Sequence, residues 1–194
     1  AKSVMKTVLL FLLVGYCAAQ PATPCDTPKQ WEGRTFIVDR SKMFSDYAKI
    51  SYDATATRVR IIEQVQSGKE TDYYDTLYLH NIGKEYRLNL RTKKCNVTDL
   101  THPFRPFEVP ADATFGGEAL IGLAGFPNEN LIAELWDGKF DANNFYEITV
   151  TQPDCVPINF AFFTNTSVVF QSFFDITLGI PDPEVFIPPS ECSK

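Results

Sequence analysis

The sequence predicts an all-β protein, and three observations lead to this fold class. Short runs of β-branched and aromatic residues alternate with polar residues at a period of two, which is typical of antiparallel strands. Gly, Pro, Asn and Asp separate these runs, as they do at the turns between such strands. Long amphipathic helical patterns are missing from the sequence.

Ten segments carry the strand pattern. It is cleanest where Tyr86, Leu88 and Leu90 alternate with Arg87 and Asn89, so this strand is expected to bury one face only. The predicted strands, in chain order, are Arg34–Val38, Ala48–Tyr52, Arg58–Gln64, Asp75–His80, Glu85–Arg91, Glu118–Leu123, Leu131–Trp136, Tyr146–Thr151, Ile158–Thr164 and Val168–Ile176.

Two of these segments carry a less distinct strand pattern. In Arg58–Gln64 the apolar residues do not all fall on one alternation, so the register of this strand is weakly specified. Leu131–Trp136 also fits the spacing of a short helix capped by Asn128 or Asn130. We favour the strand for Leu131–Trp136.

The C-terminal third is rich in phenylalanine, and both faces of Ile158–Thr164 carry Phe. A strand that is apolar on both faces must be covered on both. The second cover can be a partner subunit, a neighbouring sheet or a ligand; alternatively, all the rings fill a core. The proline-rich segment Ile180–Pro189 cannot continue a sheet, so we expect it to wrap over the surface, anchored by Cys192.

The N-terminal segment has the features of a signal peptide. Lys6 precedes the apolar run Val8–Val14, and small residues follow at Cys17–Ala19. A transmembrane helix needs about 20 apolar residues, so this run is too short to be one. We therefore assign residues 1–19 to upstream residues plus a signal peptide and residues 20–194 to a single domain, which predicts a secreted protein with no transmembrane segment.

The charge of the chain argues against nucleic acid as a partner. Without Lys2 and Lys6 of the predicted signal peptide, 16 of the 18 basic residues remain against 24 acidic ones, a net charge of −8. Proteins that bind DNA or RNA need clustered Lys and Arg to neutralise phosphates, and this acidic chain has no such cluster.

Cysteines and glycosylation motifs agree with secretion. Four cysteines follow the predicted signal peptide, at positions 25, 95, 155 and 192, and an even number in a secreted chain predicts two disulfides. Three pairings are possible, and spacing alone does not choose among them. Asn96 and Asn165 begin the motifs Asn-Val-Thr and Asn-Thr-Ser, which predict N-glycans on exposed turns.

No catalytic motif is present, which predicts that the protein is not an enzyme. The sequence contains neither G-x-S-x-G nor H-E-x-x-H, and His80 and His102 lack a neighbouring nucleophile at useful spacing. The loop Asp137–Asn144 offers several oxygen ligands for Ca²⁺, but Lys139 and Ala142 occupy positions that an EF-hand reserves for a ligand and a glycine. A solvated hairpin turn explains this loop equally well.

Four segments resemble the ependymin family, which includes the ependymin-related proteins. They are Cys25–Gly33 (CDTPKQWEG), Ile50–Val59 (ISYDATATRV), Pro103–Pro110 (PFRPFEVP) and Phe173–Cys192 (FFDITLGIPDPEVFIPPSEC). The resemblance implies two antiparallel sheets that form an open, curved barrel similar to bacterial lipoprotein-carrier domains, with a deep apolar pocket and a homodimeric assembly.

The same resemblance implies several further properties of the chain. It suggests that Cys25 pairs with Cys155 and Cys95 with Cys192. It also implies calcium binding, with ligands that cannot be placed on particular residues, a location outside the cell or in the lysosomal lumen, and contact with matrix proteins.

The function predicted from these observations is the binding of a lipid or another apolar small molecule, with modulation by calcium as a further expectation. The strand alternation and the density of aromatic residues suggest that the pocket is lined by Leu88, Leu90, Leu120, Leu135, Trp136, Ile148, Val150, Phe160 and Phe162. The alternative is a structural or adhesive glycoprotein of the extracellular matrix, in which the aromatic surface forms an interface and no small ligand is bound.

Overall fold

The computed structural model describes residues 22–126 and 128–193, and the predicted signal peptide, residues 1–19, lies outside these ranges. Within them, eleven antiparallel strands form one sheet and the helices are short 3₁₀ turns, which confirms the all-β fold class. The strands are β1 (Gln30–Asp39), β2 (Phe44–Asp53), β3 (Arg58–Ser67), β4 (Glu70–Leu79), β5 (Lys84–Asn89), β6 (Cys95–Asp99), β7 (Thr114–Gly122), β8 (Asn130–Lys139), β9 (Phe145–Gln152), β10 (Pro157–Phe163) and β11 (Val168–Leu178).

The sheet consists of two meanders that meet at the pair β1–β11. The strand order is β6-β5-β4-β3-β2-β1-β11-β10-β9-β8-β7, and in the central pair Trp31 lies opposite Leu178 and Asp39 opposite Val169. The two meanders take the place of the two expected sheets, and the β1–β11 ladder joins them into one continuous sheet. The sheet is not closed, and β6 and β7 are its edges.

Each of the ten predicted strands overlaps an observed strand. The segment Leu131–Trp136 lies within β8, so the helical alternative for it is wrong. The sequence analysis missed β6, because this short strand carries mainly exposed side chains and therefore lacks the alternation of a half-buried strand.

Two chain segments cover opposite faces of the sheet, and we name the faces after them. Residues 100–113, between β6 and β7, lie across the loop face, where Phe107 contacts Trp31 and Tyr52. The C-terminal residues 180–193 lie across the tail face, where Phe186 packs against Leu77 and Leu79. Since side chains alternate along a strand, neighbouring residues contribute to different cores.

The main core on the loop face is aromatic. Trp31, Tyr52 and Phe173 are buried together with Ile50, and Phe107 of the covering loop packs against them. The rings of Trp31 and Tyr52 lie 5.2 Å apart between centroids, and those of Phe107 and Phe173 lie 5.4 Å apart in an edge-to-face arrangement. Burial of each such side chain contributes about 1.5–3 kcal/mol, so this cluster fixes the first meander against the loop.

The tail is held on its face by three kinds of contact. Phe186 is buried against Leu77 and Leu79, and the Arg60 guanidinium donates a hydrogen bond of 2.7 Å to the Val185 carbonyl. The same guanidinium also donates to the Asp75 carboxylate at 2.8 Å. The Cys95–Cys192 disulfide then ties the end of the tail to β6, as expected for a proline-rich segment that cannot join the sheet.

Candidate functional site

A cavity of about 380 Å³ lies on the loop face between the sheet and residues 102–107. Its size falls in the range of small-molecule sites, about 300–1,000 Å³. Most of its wall is apolar or aromatic, and the side chains that form this part are Ile37, Ile50, Tyr52, Val59, Ile61, Phe104 and Phe107. Polar groups also reach it, from Thr35, Asp46, Tyr78, His80, His102, Arg105 and Gln171.

The alternation of β2 and β3 produces the floor of this cavity. Ile50 and Tyr52 are two residues apart on β2 and therefore share the loop face. They lie opposite Ile61 and Val59 of β3, which puts four apolar side chains into one cross-strand block.

The covering loop is fixed at one end of the cavity. The Phe107 amide donates to the Tyr52 hydroxyl at 3.1 Å, the Thr27 hydroxyl donates to the Phe107 carbonyl, and the Val109 amide donates to the Cys25 carbonyl at 3.1 Å. At the other end Phe104 makes ring contacts with Tyr52 and His80. The loop is thus anchored by hydrogen bonds of its backbone at residues 107–109 and by the side-chain packing of Phe104.

A buried carboxyl group lies in the wall of this mostly apolar cavity. Asp46 is only 5% exposed, and its Oδ1 atom has no hydrogen-bond partner in the described part of the chain. Burial, followed by the charge and the hydrogen bond of the nearby Glu63 side chain, raises the pKa of Asp46 to about 7. Burial also raises the pKa of Glu63, although the Arg87 guanidinium lies 3.3 Å from its Oε1 atom and opposes this shift.

The raised pKa of Asp46 predicts that the protein is more stable in mild acid. The folded state holds the Asp46 proton more tightly than the unfolded chain, so unfolding releases it between roughly pH 4 and 7 and the free energy of unfolding falls as the pH rises through this window. Between about pH 4.5 and 7.5, we expect the free energy of unfolding of the wild type to fall by about 2 kcal/mol more than that of Asp46→Asn. Urea unfolding of both proteins at both pH values measures the difference; parallel pH dependence in the two would contradict the assignment.

Two histidines lie at the rim of the cavity. The His80 and His102 rings lie 5.6 Å apart, and burial followed by the charge of His102 lowers the pKa of His80. In the part of the chain that the structure describes, no group of three or more His, Cys, Asp or Glu side chains is arranged to hold a metal ion. The histidine pair therefore lacks a third ligand of these residue types.

The structure does not bring all nine predicted pocket residues together: none of them lines the loop-face cavity, but Leu135, Trp136 and Ile148 border a second cavity, of about 510 Å³. Trp136, Ile148 and Val150 do share the loop face, but they form a second core with Val109 and Cys155. That core is closed by the N-terminal end of the described chain and by the end of the covering loop.

The remaining six predicted residues have other surroundings. Phe160 packs against the aromatic core, and Phe162 contacts Phe140 at a ring distance of 5.6 Å. Leu120 is exposed on the edge strand β7, while Leu90 lies in the turn after β5. Alternation places two further residues on the tail face, namely Leu88 and Leu135. The prediction grouped residues by hydrophobicity. Hydrophobicity alone does not reveal on which face of the sheet a side chain lies or which cavity that face borders.

The tail face carries a second cavity and an exposed apolar band over β1 and β8–β11. The cavity measures about 510 Å³ and includes Leu135, Phe145 and Phe163 in its wall. We define the apolar band as the large apolar side chains of β1 and β8–β11 that lie on this face and are more than a third exposed: Phe36, Leu131, Leu135, Phe145, Val168, Phe170 and Phe174. Among the described residues, the C-terminal strands that are apolar on both faces are thus covered on one face only.

The structure contains both disulfides in the pairing that the resemblance implied. Cys25 is bonded to Cys155 across 130 residues, and Cys95 to Cys192 across 97. Both glycosylation motifs are exposed at their asparagine. Asn165 lies in a bend between β10 and β11, as expected, but Asn96 lies within β6, so the expectation of a turn is wrong for that site.

The loop between β8 and β9 forms a hairpin turn. The Asp141 carboxylate accepts hydrogen bonds from the Asn143 and Asn144 amides at 2.9 and 3.0 Å and from the Asn144 side chain. These bonds lower the pKa of Asp141 and use both of its oxygens within the turn. The turn interpretation therefore accounts for the sequence of this loop, which supplies no group of three acidic ligands among the described residues.

Fold and site together define a disulfide-linked, open-sheet β protein with an apolar cavity under a covering loop. The sequence model of the Ependymin family matches residues 68–192. Mammalian ependymin-related protein 1 of Rattus norvegicus is 33% identical over 90% of this chain and 80% of its own length, and Ependymin-2 of Carassius auratus is 25% identical over 97% and 91%. The chain belongs to the ependymin family.

A solved structure supports the fold. The crystal structure of an uncharacterized conserved protein from Thermus thermophilus matches with a TM-score of 0.56 at 12% identity, and the match covers 85% of this chain and 88% of the other. At this identity the likeness concerns the fold alone. Among residues 22–126 and 128–193, no helix has the length and hydrophobicity to cross a membrane.

Proposed function

We propose that this protein is a secreted, single-domain glycoprotein that binds a lipid or another apolar small molecule in the loop-face cavity. The observation that carries the proposal is a space of about 380 Å³ that Ile50, Val59 and Ile61 border without filling. Each methylene of a ligand that leaves water for such a wall gains about 0.8 kcal/mol. A long acyl chain therefore offsets the cost of its own ordering.

Several features support the proposed location of the protein outside the cell or in the lysosomal lumen. Two disulfides, two exposed glycosylation motifs and the predicted signal peptide are typical of an extracellular or lysosomal protein. The protein is proposed to act by binding and not by catalysis. Modulation by calcium stays a prediction without assigned ligands, to be measured by calorimetric titration with CaCl₂.

Filling the cavity is expected to weaken ligand binding. Ile61 borders the cavity, whereas Ile62, the next residue of β3, lies on the tail face and is 43% exposed. We expect Ile61→Trp to bind a fluorescent fatty acid at least about tenfold more weakly than wild type, a loss of about 1.4 kcal/mol. Ile62→Trp is the matched control and should bind like wild type.

Titration of the fluorescent fatty acid into delipidated protein measures both variants, and circular dichroism melts show whether each is folded. Equal binding by both folded variants would place the ligand elsewhere. Absence of any uptake, together with the absence of lipid in organic extracts of the purified protein by mass spectrometry, would contradict ligand binding altogether.

The apolar band supports a second function, that of an adhesive or structural matrix glycoprotein. Phe170 and Phe174 both lie on the tail face and are nearly half exposed, and contiguous apolar surface of this kind is typical of a protein interface. A homodimer or a matrix protein could cover the band. Sedimentation with and without delipidation distinguishes this function, since an interface that needs no ligand gives the same mass in both states.

A further inference from the structure

The polar part of the loop-face cavity contains a buried acid that has no ion-pair partner among the described residues. Asp46 is 5% exposed and lines the cavity, and its Oδ1 atom accepts no hydrogen bond in the described part of the chain. An unpartnered polar atom in such a place destabilises the folded protein, because it has lost its hydrogen bonds to water. A ligand that donates a hydrogen bond to this atom would offset that destabilisation.

The neighbours of Asp46 leave this oxygen unsatisfied. Glu63 of β3 shares a side-chain hydrogen bond with Asp46 but is itself an acid, and Arg87 of β5 lies 3.3 Å from Glu63. The hydroxyl of Thr76 on β4 donates to Glu63 at 3.3 Å. Among residues 22–126 and 128–193, no Lys or Arg forms an ion pair with Asp46. The wall of the cavity thus contains a buried carboxyl group, and one of its oxygens has no hydrogen-bond partner among the described residues.

We infer that the loop-face cavity prefers amphiphiles with a cationic head group that donates hydrogen bonds, such as long-chain primary amines; this inference rests on the proposed binding of an apolar ligand. The ammonium group of such a ligand binds Asp46. Its alkyl chain lies against Ile50 and Ile61. The ammonium supplies both the missing donor and a positive charge, and charge-assisted hydrogen bonds are about twice as strong as neutral ones. A fatty acid brings a further negative charge to the same place and is disfavoured there.

Arg105 is the cation of the cavity wall that could attract a carboxylate instead. It lines the cavity but is exposed on the covering loop. Because water and salt screen an exposed charge far more than a buried one, its attraction is worth less than that of Asp46. A fatty acid bound at this cavity would therefore place its carboxylate at Arg105, near solvent.

The experiment compares three twelve-carbon ligands that differ only in the head group. The probe N-phenyl-1-naphthylamine is bound to the full secreted chain at about pH 8, where most Asp46 is ionised. Dodecylamine and dodecanoate, below their micelle concentrations, and dodecanol, below its solubility limit, are then used to displace the probe. We expect dodecylamine to displace the probe at a concentration at least about tenfold lower than dodecanoate, with dodecanol between them.

Two variants locate the preference. Asp46→Asn keeps the shape of the side chain without its charge and should bring the amine and the acid to within about threefold of each other. Asp175→Asn removes one charge from a side chain that is 66% exposed and paired with Arg34, so it should keep the wild-type preference. Thermal melts confirm that both variants are folded.

The outcomes separate this inference from the proposed function. If the probe binds and dodecanoate displaces it as well as or better than dodecylamine, the head-group preference is wrong and apolar binding stands. If Asp46→Asn retains the full preference, Asp46 is not the acceptor and the inference fails. If neither the probe nor a fluorescent fatty acid binds, the proposed function fails, and the inference fails with it.

Discussion

Trp31→Ala is expected to lower the free energy of unfolding by about 4 kcal/mol. Trp31 is fully buried on the loop face, and its ring lies 5.2, 5.7 and 6.0 Å from those of Tyr52, Phe107 and Phe173. Its removal leaves a cavity that rigid strands on either side cannot fill, because β1 is the central strand of the sheet and joins the first meander to β11 of the second. Urea unfolding followed by far-UV circular dichroism measures the change.

Phe36→Ala is the control for this prediction. Phe36 lies on the same strand but on the tail face, where it is 39% exposed, so its truncation should cost less than about 1 kcal/mol. Similar losses in the two variants would show that the aromatic core is not centred on the loop face of β1.

Replacement of both Cys25 and Cys155 by alanine is the second change with a large expected effect. This disulfide closes a loop with a sequence separation of 130 residues, and the chain-entropy model credits a loop of that length with about 4–5 kcal/mol. Cys155 is also buried against Trp136 and Val150, so the variant loses packing in addition. Urea unfolding under non-reducing conditions is the measurement.

The Cys95–Cys192 disulfide offers a comparison of similar loop length. Its sequence separation is 97 residues, but Cys95 and Cys192 are only partly buried. Removal of the Cys95–Cys192 disulfide should therefore lower the free energy of unfolding mainly through the entropy of the unfolded chain, with little loss of core packing. A loss below about 1 kcal/mol for the Cys25–Cys155 variant would contradict the chain-entropy argument for this fold.

The local sequence pattern was sufficient to predict ten of the eleven strands but not their assembly. Alternation predicted ten of the strands because most of them are covered differently on their two faces. The pair β1–β11 joins residues from opposite ends of the chain, such as Trp31 and Leu178, and no local signal specifies that pairing. The continuity of the two halves across this ladder was therefore visible only in the structure.

The candidate site was less accessible to sequence reasoning. Leu88 was correctly predicted to be buried, yet it lies on the tail face, opposite the cavity, where the end of the tail contacts β5. Asp46 carried a signal that the sequence analysis missed: it shares the alternation of Ala48, Ile50 and Tyr52, so an acidic residue falls on an otherwise apolar face. A charged residue at such a position is a marker of function.

An open sheet has two free borders, and here they differ in their chemistry. The border formed by β6 carries Asn96 and the Cys95–Cys192 bond. A sugar chain on Asn96 would lie beside the unpaired backbone groups of β6 and obstruct the docking of another strand. The border formed by β7 exposes Phe115, Leu120 and Ile121 and has no glycosylation motif. We therefore expect a further strand to add at β7 and not at β6. This applies both to regulated assembly and to unwanted aggregation of unglycosylated material.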